Sequence, residues 1–398
     1  MILPSQLLSD TVQLAANQRV LILNSAADPF VPMAAQQIKS GEIILAEDNI
    51  ANLGRNELGL YGRDKSGTYG HDKSGLYRHI AFHEYILREP PATMDVAVMN
   101  MLYQPSNAWM LYGLQLARYA LKVGGRLYVV GAKDRGVLSM AKRMEEQFGN
   151  VETLAIHKGH RVLCSRQFDR GPWHPQGAPL HFPSDHQSVG LENPQDVPMN
   201  WHSTALPLAD ARAAGPLEAA GIPALLIPTF AAGKMDEGTR LLLEVLEVRT
   251  TDEALDIGCG AGFIGIYIAR RATKGHVTMV DASLVAVAMA KQAIEQSGLT
   301  NVQVLPSDGV QAVLSERFDL VVTNPPFHVG GIQTTEIAER FIREAAQVLR
   351  PRGRFYLVAN RFLKYEPTLQ TCFRTVEEVG GDRRYKVLRA LQPMNNSI

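Results

Sequence analysis

Short apolar runs alternate with longer amphipathic stretches along most of the chain. Over residues 253–359 the order is EALDIG, GFIGIYIARRA, HVTMVD, LVAVAMAKQAIEQSG, NVQVLPSD, FDLVVTN, TEIAERFIREAAQVL and GRFYLVA. The short runs, bounded by Gly, Asp or Asn, read as strands. The longer stretches, apolar at three- and four-residue spacing, read as helices. Such alternation predicts a mostly parallel, twisted sheet flanked by helices on both faces. Ligands of these sheets bind beyond the carboxyl ends of the strands, where the strand order reverses.

The pattern occurs twice. MDVAVMNMLYQPSNAW (Met94 to Trp109) resembles FDLVVTNPPFHVGGIQ (Phe318 to Gln333): an aspartate, an apolar strand, then an asparagine opening a turn. A helix-period stretch and a Gly-bearing turn into a new strand follow each, ARYALKVGGRLYVVGA in one half and AAQVLRPRGRFYLVAN in the other. GHRVLCSR and RYKVLRAL echo one another at the ends of the halves. The expected organisation is a duplicated α/β domain, residues 1–170 and 206–398, joined by a linker, 171–205, whose clustered prolines interrupt regular structure. A period-eight segment, YGRDKSGTYGHDKSGLYRH (Tyr61 to His79), reads as an exposed loop expanded by slippage.

Composition narrows the class. The 398 residues are 46% hydrophobic and 20% charged, a globular profile, and 40 basic residues balance 40 acidic ones. Whole-molecule charge therefore gives no argument for a nucleic-acid partner. Locally, twelve Lys and Arg face five acids from Arg340 to the end. That surplus reads either as a basic surface or as solvated helix faces. Three scattered cysteines fit a reducing compartment, and neither a leader-like N-terminus nor a membrane-length apolar stretch is present, so a cytoplasmic protein is expected.

The second half carries the chemistry. ALDIGCGAGFIG runs a strand into a loop with Gly258, Gly260 and Gly262 and then into a helix. Glycines there permit positive φ and close backbone approach to a ligand at a helix start. HVTMVDAS ends at Asp281, 25 residues after Asp256, where an acid accepting from ribose hydroxyls belongs; capping of the next helix is the alternative. Asp308, ending VLPSD 27 residues later, is a candidate acceptor for an adenine amino group. The fourth loop is TNPPFHVGG.

These four loops in this order resemble class I S-adenosylmethionine-dependent methyltransferases of the amino-methylating group. NPPFHVG and the two-half layout narrow the resemblance to bacterial ribosomal RNA guanine-N2 methyltransferases, which pair a degenerate N-terminal with an active C-terminal methyltransferase domain. The resemblance implies two tandem Rossmann-like domains, S-adenosylmethionine as cofactor, and ribosomal RNA or a ribosomal subunit as partner, with no membrane or metal. By position, it implies that Gly258, Gly260 and Gly262 pass under the cofactor's methionine part, Asp256 holds its amino end, Asp281 takes the ribose and Asp308 lies near the adenine. IPTFAAGKMDEGTRLLL adds Phe230, Asp236 and Gly238 as cofactor-side residues.

Asn324, Pro325, Pro326 and Phe327 form the expected catalytic set. A purine exocyclic amine is a poor nucleophile because its lone pair is delocalised. Carbonyls of Asn324 and Pro325 accepting its two N–H groups would aim that lone pair at the methyl. Proline fixes the carbonyl directions in advance, and Phe327 can stack on the base. His328 reads as a packed or solvent-facing residue rather than a base. A protein glutamine or a DNA adenine amine would fit the same platform, and a non-catalytic RNA-binding or assembly factor is the rival of another class. In the first half NMLYQP replaces NPPFHV, and register on the leucines puts Ala26, Asp28 and Phe30 at the glycine positions, so that half reads as non-catalytic. His79 and His83, four apart in HIAFHE, have the spacing of a helical zinc pair but lack an obvious third ligand, and Cys259 reads as a small filler.

Overall fold

The computed structural model describes residues 2–53, 77–168, 235–326, 328–329, 332–333 and 335–394. The expected linker, most of the period-eight loop, Phe230 and Phe327 lie outside these residues.

Two seven-stranded sheets share one topology. The first comprises β1 (Arg19–Leu23), β2 (Glu42–Glu47), β3 (Tyr77–Ala81), β4 (Met94–Asn100), β5 (Leu121–Ala132), β6 (Glu152–His157) and β7 (His160–Arg166), in the order 3-2-1-4-5-7-6. The second comprises β8 (Ala254–Ile257), β9 (Val277–Asp281), β10 (Val302–Pro306), β11 (Phe318–Thr323), β14 (Leu349–Asn360), β15 (Phe373–Gly381) and β16 (Tyr385–Pro393), in the order 10-9-8-11-14-16-15. Residues His328–Val329 (β12) and Ile332–Gln333 (β13) form a separate two-stranded pair. In each sheet one strand, β7 or β16, runs antiparallel to both its neighbours, and it carries the echoed GHRVLCSR or RYKVLRAL sequence. The expected tandem Rossmann-like architecture is thus the one observed.

The strand sequences explain the layering. RVLIL, ALDI and DLVVT are buried at nearly every position because helices cover both sheet faces. Each sheet accordingly has two apolar clusters, one per face, built on Leu21 and Ile22 in the first half and on Leu255 and Leu320 in the second.

Strand pairing revises one alignment. Leu23 pairs with Ala46 as Ile257 pairs with Val280, so the first-half residues at the positions of Gly258, Gly260 and Gly262 are Asn24, Ala26 and Asp28, not Ala26, Asp28 and Phe30. Leucine spacing misplaced the loop by two residues because an all-buried strand has no alternation to fix its register. His79 lies on β3 and His83 in the following 3₁₀ turn (Phe82–Glu84), so the helical pair that HIAFHE suggested does not form.

A buried ion pair ties the amino end of β14 to the approach to β8: Arg354 Nη2 lies 2.5 Å from Asp252 Oδ2, both side chains almost wholly buried. Asp252→Ala leaves that guanidinium buried without its carboxylate, and a stability loss of about 3–5 kcal/mol is expected in denaturant unfolding.

Candidate active site

β8 and β11 pair in parallel with Ile257 opposite Thr323, so the glycine loop and the Asn-Pro-Pro turn leave the sheet side by side, about 5 Å apart. Thr323 Oγ1 ties the two by donating to the Ile257 carbonyl at 2.7 Å. Strand order reverses at β8, where doubly wound sheets bind ligands.

Gly258, Gly260 and Gly262 have φ of 72°, 54° and 87°, the left-handed region that side chains avoid. A Cβ on Gly260 would meet nothing within 4 Å, which marks open space over the loop. Asp256 is fully buried. Its Oδ2 accepts the Gly265 N–H at 3.0 Å, while Oδ1 is buried with no hydrogen-bond partner among the described residues. Burial pushes its pKa up to about 7, against the help of the Gly265 N–H. An orphaned carboxylate oxygen below an open glycine loop suits an ammonium group.

Asp281 ends β9 and grips two backbone N–H groups, Gly260 on Oδ2 at 2.9 Å and Ser283 on Oδ1 at 2.8 Å. It thereby fixes the glycine loop and the next helix start together, and each oxygen keeps a lone pair for a hydroxyl. Burial raises its pKa, opposed by those N–H groups. Asp308 follows β10 and pairs with Arg340 at 2.6 Å. Cys259 is buried, and that burial raises its thiol well above the ordinary value, as befits a filler.

Asp236 is the N-cap of helix Glu237–Val245, accepting the Thr239 N–H at 2.8 Å. It also reaches Asn324: the Asn324 Nδ2 donates to both Asp236 oxygens, at 3.2 and 3.0 Å, and to Thr239 Oγ1 at 3.0 Å. A carboxylate only accepts, so the amide has a single sensible orientation, leaving Oδ1 as the free acceptor. Gly238 keeps this cap tight, since a Cβ there would lie 3.2 Å from Asp236 Oδ1 and 3.5 Å from the Tyr385 ring. Pro325 is buried and Pro326 half-buried.

The Methyltransferase small domain family model matches residues 226–389, spanning all of this site. A ribosomal RNA small subunit methyltransferase C from Pseudomonas entomophila is 31% identical over 303 residues, covering 75% of this chain and 81% of the relative. The chain belongs to the ribosomal RNA small subunit methyltransferase C family. A relative of the same name from Hahella chejuensis is 38% identical over 163 residues, 41% of this chain and 47% of its own. Among solved structures, a T. thermophilus 16S rRNA N2-guanine methyltransferase in complex with AdoMet and guanosine aligns at a TM-score of 0.69 and 26% identity. That alignment covers 98% of this chain and 91% of the other.

Against this family background the first half is an internal control. Glu47 ends β2 as Asp281 ends β9, and it grips the equivalent N–H groups, Ala26 at 3.0 Å and Asn49 at 2.9 Å. The scaffold survives and the glycines do not. Asp28, at the Gly262 position, accepts from Asn100 Nδ2 at 2.7 Å. Gln104 Nε2 lies 3.1 Å from the Leu23 carbonyl, 3.2 Å from those of Asn24 and Asn100 and 3.4 Å from Ser25 Oγ. Side chains thus fill the space where the second half keeps glycine.

Thr239, Arg340 and Glu344 escaped the sequence reading. Glu344 Oε2 accepts the Val310 N–H at 3.2 Å beside Asp308. The D-x-x-T spacing of Asp236 and Thr239 signals a helix cap, but nothing local says that the cap meets Asn324.

With the cofactor's ammonium on Asp256, the carboxylate is the binding form. S-adenosylmethionine affinity is then expected to fall about tenfold per unit as pH drops below about 7, and to weaken again above about pH 8, where an α-ammonium loses its proton. Calorimetric titration across pH checks this, and Asp256→Asn is expected to flatten the profile.

Proposed function

We propose that the second half transfers a methyl group from S-adenosylmethionine to the exocyclic N2 amine of a guanine in ribosomal RNA, in the cytoplasm. The observation that carries this reading is the fixed amide of Asn324. Its Nδ2 is held by Asp236 and Thr239, and its Oδ1 accepts one amine N–H while the Pro325 carbonyl accepts the other. The bound cofactor supplies the sulfonium methyl. An amine lone pair aligned by Asn324 and Pro325 would form the N–C bond as the S–C bond breaks, and the resulting ammonium would release its proton to water. No separate base is required, because the methylated ammonium is strongly acidic; Asp236 meets the Asn324 amide nitrogen and serves to orient it. Asp256 holds the cofactor's ammonium, the loop of Gly258, Gly260 and Gly262 lies along its methionine part, and Asp281 takes the ribose. Asp308, tethered by Arg340, borders the adenine. Asp236 and Gly238 serve the catalytic asparagine, and Phe327 stacks on the base.

Membership of the family and the guanosine in the T. thermophilus relative favour guanine over glutamine or adenine. Residues 1–170 form the non-catalytic domain, 206–398 the catalytic one and 171–205 the connection. Among the described residues no helix is long and apolar enough to cross a membrane.

The basic surplus after Arg340 sorts by position. Seven of its twelve cations pair with acids: Arg340, Arg343, Arg350, Arg354, Arg361, Lys386 and Arg389. Arg352, Lys364, Arg374, Arg383 and Arg384 are exposed and form no ion pair among the described residues. Since Arg354 pairs with Leu391 and Asn360 with Tyr385, Arg352 and Arg374 fall at the far end of the sheet. Lys364, Arg383 and Arg384 fall at the end that carries Asn324. Phe362, 59% exposed, stands among them. Cations beside an exposed aromatic suit the phosphates and bases of a single strand.

Asn324→Ala is expected to keep S-adenosylmethionine affinity and to lose about 100-fold or more in kcat, measured by methyl transfer to deproteinised small-subunit rRNA. An unchanged kcat sinks the assignment. Lys364→Ala with Arg383→Ala is expected to weaken binding of a short single-stranded RNA and to flatten its log–log salt dependence by about 0.7 per lost contact, measured by fluorescence anisotropy.

A further inference from the structure

The two halves meet through the same turn. Asp281–Ala282–Ser283–Leu284 follows β9 as Glu47–Asp48–Asn49–Ile50 follows β2, and Asn49 bridges Ser283 in antiparallel fashion. Equivalent residues exchange equivalent bonds: Leu284 N–H donates to the Asp48 carbonyl, and Ile50 N–H to the Ala282 carbonyl, both at 3.0 Å. The contact has the two-fold logic of an isologous dimer, built within one chain.

The side chain of Asp48 breaks the symmetry. Asp48 Oδ1 accepts the Val285 N–H at 2.8 Å, and its counterpart Ala282 has no side chain with which to reciprocate. A helix leaves its first N–H groups without internal partners. In helix Leu284–Ser297 the Ala286 N–H goes to its own cap, Ser283 Oγ, at 3.2 Å. The N–H groups of Leu284 and Val285 go to Asp48 of the other half. Apolar contacts follow the same direction. Leu284 clusters with Ile50 and Ala81, and Val285 belongs to a core cluster of the first half. Asp281 Oδ1, meanwhile, is held by the Ser283 N–H of this same turn.

We propose that Asp48 is a positioning residue for the cofactor site, holding the turn that presents Asp281, so that S-adenosylmethionine binding and docking of the halves strengthen each other. The proposal rests on the reading of Asp281 as the ribose acid. The first half, its own loop glycines replaced, thereby remains part of the second half's cofactor site. Coupling of this kind is reciprocal: what docking contributes to affinity, cofactor returns to docking. Burial raises the Asp48 pKa to about 7. The role calls only for an acceptor oxygen, which an amide also supplies.

Full-length protein carrying Asp48→Ala is expected to show a rise of about 2- to 30-fold in Kd and KM for S-adenosylmethionine, the equivalent of a lost helix cap, with kcat and the KM for RNA unchanged. Asp48→Asn, which keeps Oδ1, is expected to restore most of that affinity. In the unmodified protein, amide hydrogen exchange at Ile50, Leu284 and Val285 is expected to slow when S-adenosylmethionine is added. This last measurement decides the matter even if Asp48→Ala fails to fold. Asp281→Ala separates the two readings, since unchanged cofactor affinity there removes the ribose assignment itself. With that assignment standing, unaltered affinity in Asp48→Ala, or exchange at the three amides indifferent to cofactor, overturns the coupling.

Discussion

The parallel register of β8 and β11 is the constraint on which the site depends. With Ile257 opposite Thr323, the glycine loop and Asn324 emerge together at the sheet edge, and Thr323 Oγ1 closes the seam between them. A slip of one residue would turn every side chain of β11 to the opposite face and carry Asn324 away from Asp236. Burial on both faces protects this register: Leu255, Ile257, Val321 and Val322 are all inaccessible, so each alternative strands apolar surface or an unpaired backbone group.

From that edge outward, the site uses acids in distinct ways. Asp256 is buried with one oxygen unsatisfied among the described residues, an arrangement unfavourable in the free protein. Asp281 is a brace, gripping two N–H groups from separate segments. Asp236 fixes the direction of an amide. The first half shows what happens when one such choice changes. Asp28 in place of a glycine accepts from Asn100, Gln104 donates to the loop carbonyls, and the fold persists.

Duplication gave the two copies unequal work. Glu47 and Asp281 still brace their loops in the same manner, which is the clearest trace of common origin. Their turns now pack on one another, and the unreciprocated bond, donated by the Val285 N–H to Asp48, comes from the half that kept its glycines. A copy whose loop carries side chains thus stays physically joined to one whose loop keeps its glycines.

Most of the site was legible in the sequence, because its signals are local. Glycines that need positive φ, acids ending strands, and prolines after an asparagine each act through their own backbone. Strand and helix periodicity fixed the architecture for the same reason. Tertiary structure alone decided which groups meet. That Asp236 orients Asn324 across 88 positions, that Asp48 caps a helix 237 positions away, and that Gly262 aligns with Asp28 all depend on sheet order and register. Such contacts arise from packing of separate segments, and the residues that make them carry no mark of the partner they will find.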